Sequence, residues 1–303
     1  MSKQHLRVIL NGKAALRDDV RRAVDAVRKM GHTVSVRVTW EAGDTQRLAL
    51  EALDEAAEDQ ISTLVAAGGD GTVNEIVAAL LDGLQGDKTL PFELAVLPLG
   101  TANDFARGVG LDPSDILGCL RFAARCQPKP TDVGSVNGRA FINMATGGFG
   151  ASVTSETDPN LKRVLGGAAY LFTGLHRFSE LASSHGAISA EDFSWRGDFL
   201  AIAVGNGKQA GGGVELCPDA LLDDGFLDLT IVPYPRGDDV ADLLGRLIEY
   251  GPDGLRDSLI MRRVKAVIIE TDKPLQFNLD GEPIHDTRLE VSVLPKKIGF
   301  RRP

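Results

Sequence analysis

Leu64-Val65-Ala66-Ala67-Gly68-Gly69-Asp70-Gly71-Thr72-Val73-Asn74-Glu75 passes from an apolar run through a glycine-rich turn straight into a helical pattern. The apolar run reads as a buried strand. Val73, Ile76, Val77, Leu80 and Leu81 then recur at helical spacing and mark the inward face of a helix. Glycines at such a junction let the backbone approach phosphate oxygens, while the unsatisfied N–H groups and the dipole of the helix point at the anion. The competing reading is a plain tight turn with a capping box, because Thr72 and Glu75 have Thr-x-x-Glu spacing. Three glycines around one Asp exceed what a turn requires, so phosphate binding is the expectation.

On either side of this stretch, strand and helix patterns alternate. Leu6 to Leu10 reads as a short strand, and Leu16, Val20, Ala23, Val24 and Val27 as the inward face of a helix stopped by Gly31. Val34, Val36 and Val38 alternate with polar residues, and Leu48, Ala49, Ala52, Leu53 and Ala56 mark another helix. The strand Leu94 to Leu97 and a helix near Asp115 to Arg125 extend the pattern. Such alternation favours a Rossmann-like α/β domain with a parallel sheet over residues 1–128.

Near residue 128 the pattern changes. Pro128 and Pro130 suggest a linker, and Asn137-Gly138 supplies the two positive φ angles of a type I′ hairpin turn. Strand patterns dominate from there: Phe141 to Met144, Phe199 to Val204, Leu227 to Val232, Val264 to Thr271, Leu275 to Leu279 and Leu289 to Leu294. Two helical patterns interrupt them, at Leu161 to Leu181 and Asp239 to Tyr250. Residues 129–303 are therefore expected to form a mostly antiparallel β domain, whose last strand near 295–303 could return to the first domain.

Composition narrows the function. A net charge of −9 and a pI near 5.1 disfavour nucleic acid, which needs a field of the opposite sign. Cys119, Cys126 and Cys217 are too few and scattered for a disulfide framework, which suits a reducing cytoplasm. No stretch reaches the ~18 apolar residues of a membrane span, and the N-terminus lacks the apolar core of a signal peptide. His176, His185 and His285 show no partner in the pattern and read as surface residues. Walker-type, G-x-G-x-x-G, G-x-S-x-G and zinc-ligand spacings are all missing. A second loop, Pro98-Leu99-Gly100-Thr101-Ala102-Asn103-Asp104, follows a strand, and its Thr101 hydroxyl and Asn103 amide could meet phosphate or ribose. Two such loops at strand carboxyl ends would share one crevice.

These two loops resemble those of the diacylglycerol kinase catalytic superfamily. Val38-Thr39-Trp40-Glu41, Phe141 to Gly150, Gly205-Asn206-Gly207-Lys208-Gln209-Ala210-Gly211-Gly212-Gly213 and Leu279-Asp280-Gly281-Glu282-Pro283 resemble the bacterial YegS-like lipid kinases in particular. The likeness covers nearly the whole chain. It implies a nucleotide-binding α/β domain, a β-sandwich second domain and an active site in the cleft between them. It also implies ATP contacts at Thr39, at Gly69, Asp70, Gly71, Thr72, Val73, Asn74 and Glu75, and at Thr101. Gly68 and Asn103 join them from the loop reading.

Phosphoryl transfer develops charge that a divalent cation must offset, so carboxylates are sought. Cys217 to Asp228 is dense in hard oxygen ligands, although a solvated acidic turn explains it equally. The resemblance places magnesium there, held by Asp224 and the carbonyls of Leu221 and Phe226, with calcium able to substitute. An attacking hydroxyl needs a proton acceptor, and the resemblance puts it at Glu282 with Asp280 nearby; without it, Asp280-Gly281 is an ordinary hairpin turn. The expected activity is ATP-dependent phosphorylation of a glycerolipid or phospholipid hydroxyl presented by a membrane surface. A soluble acceptor such as NAD or a sugar phosphate, and a non-catalytic nucleotide or lipid sensor, are the alternatives.

Overall fold

The computed structural model describes residues 3–84, 89–148, 183–235, 249 and 256–303. The helical pattern at Leu161 to Leu181 lies outside them, as does that at Asp239 to Tyr250 apart from Glu249. The first part is the alternating unit read from the sequence: β1 (His5–Leu10), α1 (Asp18–Lys29), β2 (Thr33–Val38), α2 (Asp44–Asp54), β3 (Thr63–Gly68), α3 (Asp70–Gly83), β4 (Glu93–Pro98), α4 (Asp104–Gly108) and α5 (Ile116–Arg125). The four strands pair in parallel in the order β4-β3-β1-β2, so all their carboxyl ends meet one rim. β3 is buried along its full length, as a central strand covered by helices on both faces must be. Val20, Ala23, Val24 and Val27 face the core as their spacing demands. Leu16 does not: it precedes α1 and is 83% exposed.

The second part is antiparallel: β5 (Pro128–Val136), β6 (Arg139–Phe141), β7 (Met144–Gly147), β8 (Ser184–Ala190), β9 (Phe193–Gly205), β10 (Gln209–Ala210), β11 (Val214–Glu215), β12 (Leu227–Pro233), β13 (Ile260–Val264), β14 (Ala266–Leu279) and β15 (Glu282–Arg301). It encloses its own core, with Phe141, Phe199 and Phe277 fully buried among aliphatic side chains. The chain is a mixed α/β fold with an antiparallel sandwich after the parallel unit. Asn137 and Gly138 take φ values of 48° and 82°, and Val136 pairs with Arg139, which is the expected type I′ hairpin.

Three expectations give way. Pro128 and Pro130 lie inside β5 rather than in a linker, at an end where β5 has only β15 as its paired neighbour among the described residues. Phe141 to Met144 is not one strand, because the chain bends at Ile142 and Asn143 between β6 and β7. The patterns at 264–271 and 275–279 join into the single strand β14 beyond Val264, with a register shift between Glu270 and Leu275 hiding its continuity.

β15 connects the two halves. It begins in the second core, pairs with β14 and β5, and at its far end sets Phe300 parallel to Leu94 of β4. Phe300 is fully buried and meets Phe105 edge-to-face, with ring centroids 5.2 Å apart. Phe300→Ala is expected to cost roughly 3–5 kcal/mol, the range for an emptied aromatic core site. Chemical denaturation would read this as a lower midpoint.

Candidate active site

Two turns sit together at the carboxyl rim. β3 ends at Gly68, Gly69 caps α3 in an extended conformation, and Leu99 N donates to Gly68 O at 2.8 Å. A side chain on Gly68 would fall 2.4 Å from Thr72 Oγ1, and one on Gly100 2.5 Å from the Gly69 Cα. Glycine is therefore demanded at 68 by the turn's own Thr72 and at 100 by the approach of one turn to the other. α3 starts at Asp70, which puts Thr72 inside the first helical turn. The expected run of strand, glycine turn and helix start is present.

Asp70 supplies the link between the turns. Its carboxylate accepts from Asp104 N at 3.1 Å and Phe105 N at 2.9 Å, satisfying the opening donors of α4. Asn103 sits in the left-handed region at φ 53° and is buried. Its amide is engaged within the loop, accepting from Gly100 N at 2.9 Å and donating to Gly100 O at 2.8 Å. Thr101 is exposed beside it. Thr39 follows β2 on the same rim, where its hydroxyl accepts from Gly12 N at 3.1 Å. Asp104 is buried and accepts from Gly212 N at 2.8 Å through Oδ2, while its Oδ1 has no partner among the described residues. Burial first, and then the charge of Asp70, push the Asp104 carboxyl above its ordinary range.

The acidic hairpin faces these turns. Asn74, on the first part of α3, donates through Nδ2 to Leu279 O at 3.3 Å, and a side chain on Gly71 would come within 3.8 Å of Asp280 O. Asp280 and Gly281 adopt φ values of 50° and 109° between paired Leu279 and Glu282, the two-residue turn their types favour. The Asp280 carboxylate accepts from three successive backbone N–H groups, Ile142 and Asn143 at 2.8 and 2.9 Å and Met144 at 2.7 Å. Asp280 thus holds the bend between β6 and β7. Burial raises its carboxyl to about 6 despite those donors. Glu282, the first residue of β15, is exposed.

The 217–228 loop leads into β12. Asp224 accepts from Phe226 N at 3.0 Å and forms an ion pair with Arg263, whose guanidinium lies 4.7 Å from the Phe226 ring centroid. Leu221 is half exposed. Asp228 is buried, and burial, with Asp224 and Asp219 adding to it, raises its carboxyl to about 6. Among the described residues no group of three or more His, Cys, Asp or Glu side chains gathers at ligating distance. A cavity of about 520 Å³ opens between α4 and the β10–β11 hairpin, lined by Arg107, Leu111, Lys208, Gln209 and Glu215.

The sequence reading missed several buried polar residues that join these pieces. Asp132 accepts from Gly225 N at 2.7 Å and Lys296 N at 2.6 Å, tying the acidic loop to β15. Asn206 donates to Asp132 O and Ile142 O, and Asn143 to Gln209 O. For Asn143, a lone polar residue inside the apolar pattern 141–144 was the available signal. His185, expected to stand alone, pairs with Asp198 at 2.7 Å; His285 is exposed, and His176 lies outside the described residues.

A phosphate-type turn facing an acid-bearing hairpin fits phosphotransfer, and comparison with known proteins agrees. The diacylglycerol kinase catalytic domain matches residues 5–136, and the YegS C-terminal NAD kinase beta sandwich-like domain matches residues 143–300. Two solved structures from Bacillus anthracis str. Sterne that carry the diacylglycerol kinase name share the fold. Their TM-scores are 0.80 and 0.73 at 22% and 21% identity; each match covers 99% of this chain, and 95% and 97% of theirs. The domain match gives the class, a kinase with a diacylglycerol kinase catalytic domain. A protein of Pseudomonas aeruginosa named "probable lipid kinase YegS-like" is 48% identical over 100% of this chain and 96% of its own length. One of the same name from Alcanivorax borkumensis is 47% identical over 100% and 98%. The chain belongs to the YegS-like lipid kinase family.

The buried hairpin acid predicts a pH effect. A carboxyl raised from 3.8 to about 6 on folding makes the folded state bind the proton more tightly than the unfolded state. Its contribution, roughly 3 kcal/mol, is complete below pH 3.8 and is lost as pH rises through 6. Asp280→Asn should remove that slope from the pH dependence of unfolding free energy between pH 4 and 7.

Proposed function

We propose that the protein transfers the γ-phosphoryl group of ATP to a hydroxyl of a glycerolipid or phospholipid, with Glu282 as the proton acceptor. The observation that carries this reading is the contact of Asn74 with Leu279 O, which sets the Gly68 to Thr72 turn opposite the Asp280-Gly281-Glu282 hairpin. The first N–H groups of α3 bind phosphate oxygens, and Thr39, Val73, Glu75, Thr101 and Asn103 belong to the nucleotide side of the cleft. The lipid oxygen attacks the γ-phosphorus, the bond to the β–γ bridging oxygen breaks, and the hydroxyl proton passes to Glu282. Asp280 acts through the backbone it holds.

A magnesium ion suits the 217–228 loop. Its donors are hard oxygens, and although burial is the main cause that raises Asp228, the neighbouring charges of Asp224 and Asp219 add to it, a repulsion a divalent cation would relieve. Asp224 and the carbonyls of Leu221 and Phe226 would hold it, where it would supply positive charge and rigidity to the loop. The protein would work in the cytoplasm on lipid at a membrane surface.

Labelled ATP offered with total bacterial lipid extract, or with NAD and sugar phosphates, tests the acceptor: product should enter the organic phase, and label confined to a soluble acceptor would reassign the substrate. Glu282→Gln should lower lipid turnover ~10²–10⁴-fold, the usual worth of a positioned base, while ATP affinity stays close to wild type. Unchanged turnover would remove Glu282 from the reaction. Asp70→Asn should impair turnover far more than Glu58→Gln, because an amide cannot serve both N–H groups of α4.

A further inference from the structure

Among the described residues the two most exposed large apolar side chains are Trp40, 93% exposed, and Leu16, 83% exposed. They leave the carboxyl ends of adjacent strands, Leu16 after β1 and Trp40 after β2. Their loops touch, with Gly12 N donating to Thr39 Oγ1 at 3.1 Å and Thr39 N to Leu10 O at 3.0 Å. Val38, the last residue of β2 and two before Trp40, is 45% exposed. The first loop is also tied to the phosphate turn, since Asn11 N donates to Ala67 O at 2.9 Å, one residue before Gly68. The two loops that carry these exposed apolar residues and the phosphate turn therefore share one rim.

The backbone of the Trp40 loop is clasped by one carboxylate. Buried Asp44 accepts from Trp40 N at 2.6 Å and Glu41 N at 3.1 Å. Arg47 and these two N–H groups hold its carboxyl down at about 2, so the clasp stays ionised at any physiological pH. A tryptophan whose backbone is clasped while its ring stands in water suits an amphipathic boundary, where the ring meets apolar matter and its N–H stays wet.

We propose that Trp40 and Leu16 insert into the headgroup boundary of a lipid bilayer and bring the phosphate turn to the membrane-held substrate. This rests on the lipid kinase reading: the acyl chains keep the substrate in the bilayer, so its hydroxyl must be met there. The protein's net charge of −9 opposes attraction to an anionic surface. Close in sequence to Leu16 and Trp40, exposed Lys13 and Arg37 are set against Asp18, Asp19 and Glu41, with Arg17 paired to Asp19. With charge nearly balanced, apolar insertion supplies the hold. A nucleotide-stacking role for Trp40 is the competing use, but a ring 93% exposed has no second wall to form a slot.

The chain has two tryptophans, so Trp195→Phe makes Trp40 the sole reporter. With vesicles of phosphatidylcholine and phosphatidylglycerol, Trp40 emission should shift to the blue and be quenched by lipids brominated near the headgroup, whether or not phosphate is transferred. The pair Leu16→Ser and Trp40→Ser should weaken vesicle sedimentation about tenfold or more, as expected for losing two inserting side chains. It should raise KM for vesicle substrate while leaving KM for ATP and turnover of a short-chain monomeric lipid unchanged. Emission that stays unshifted while the wild type phosphorylates vesicle lipid would overturn the docking face and leave the kinase reading standing. A rise in KM for ATP with unchanged sedimentation would give Trp40 to the nucleotide instead.

Discussion

The carboxylate of Asp70 is the constraint on which the site depends. It belongs to the first residue of α3, yet its two oxygens satisfy the opening N–H groups of α4, so the start of one helix caps the start of another. That arrangement brings the two turns into contact, where Gly100 has no room for a side chain against the Gly69 backbone and Gly69 has only a tight fit against Gly100. With the side chain of Asp70 turned to α4, the main-chain donors at the start of α3 remain the ones that can face an anion.

A second buried carboxylate does the corresponding work across the cleft. Asp280 gathers three consecutive N–H groups of the bend at 142–144, while its own N donates to Met144 O at 3.1 Å. Asn143 and Asn206 pass the connection to residues 205–212, and Gly212 returns it to Asp104 beside Asp70. A closed circuit of charge-assisted and neutral hydrogen bonds thus spans the two halves of the chain, with β15 as the covalent and hydrogen-bonded strut beneath it. Such a circuit holds the turn and the hairpin in one geometry, and a small displacement at any member would be felt at the others.

Much of this was legible. The glycine-rich stretch, the alternating strands and helices, the Asn137-Gly138 hairpin and the Asp280-Gly281 turn follow from local chemistry that needs no neighbours. What could not be read are features whose cause lies far along the chain. The bend at Ile142 and Asn143 looks like one apolar strand until Asp280, over a hundred residues away, takes its N–H groups. The joining of two strand patterns into β14 is masked by the register shift before Leu275. Leu16 has the spacing of a core residue, but α1 begins two residues after it, so periodicity ran past the helix start.

The sequence by itself determined the class of fold and the types of residue at the site, because backbone freedom at glycine, helical and strand periods, and turn preferences act within a few residues. Only the tertiary structure decided that Asp70 braces α4, that Asp280 holds a distant bend, and that Trp40 stands in water beside the phosphate turn. Each of these depends on which surfaces the strands bring together, and hydrogen bonds and burial between residues far apart in the chain are set by that packing alone.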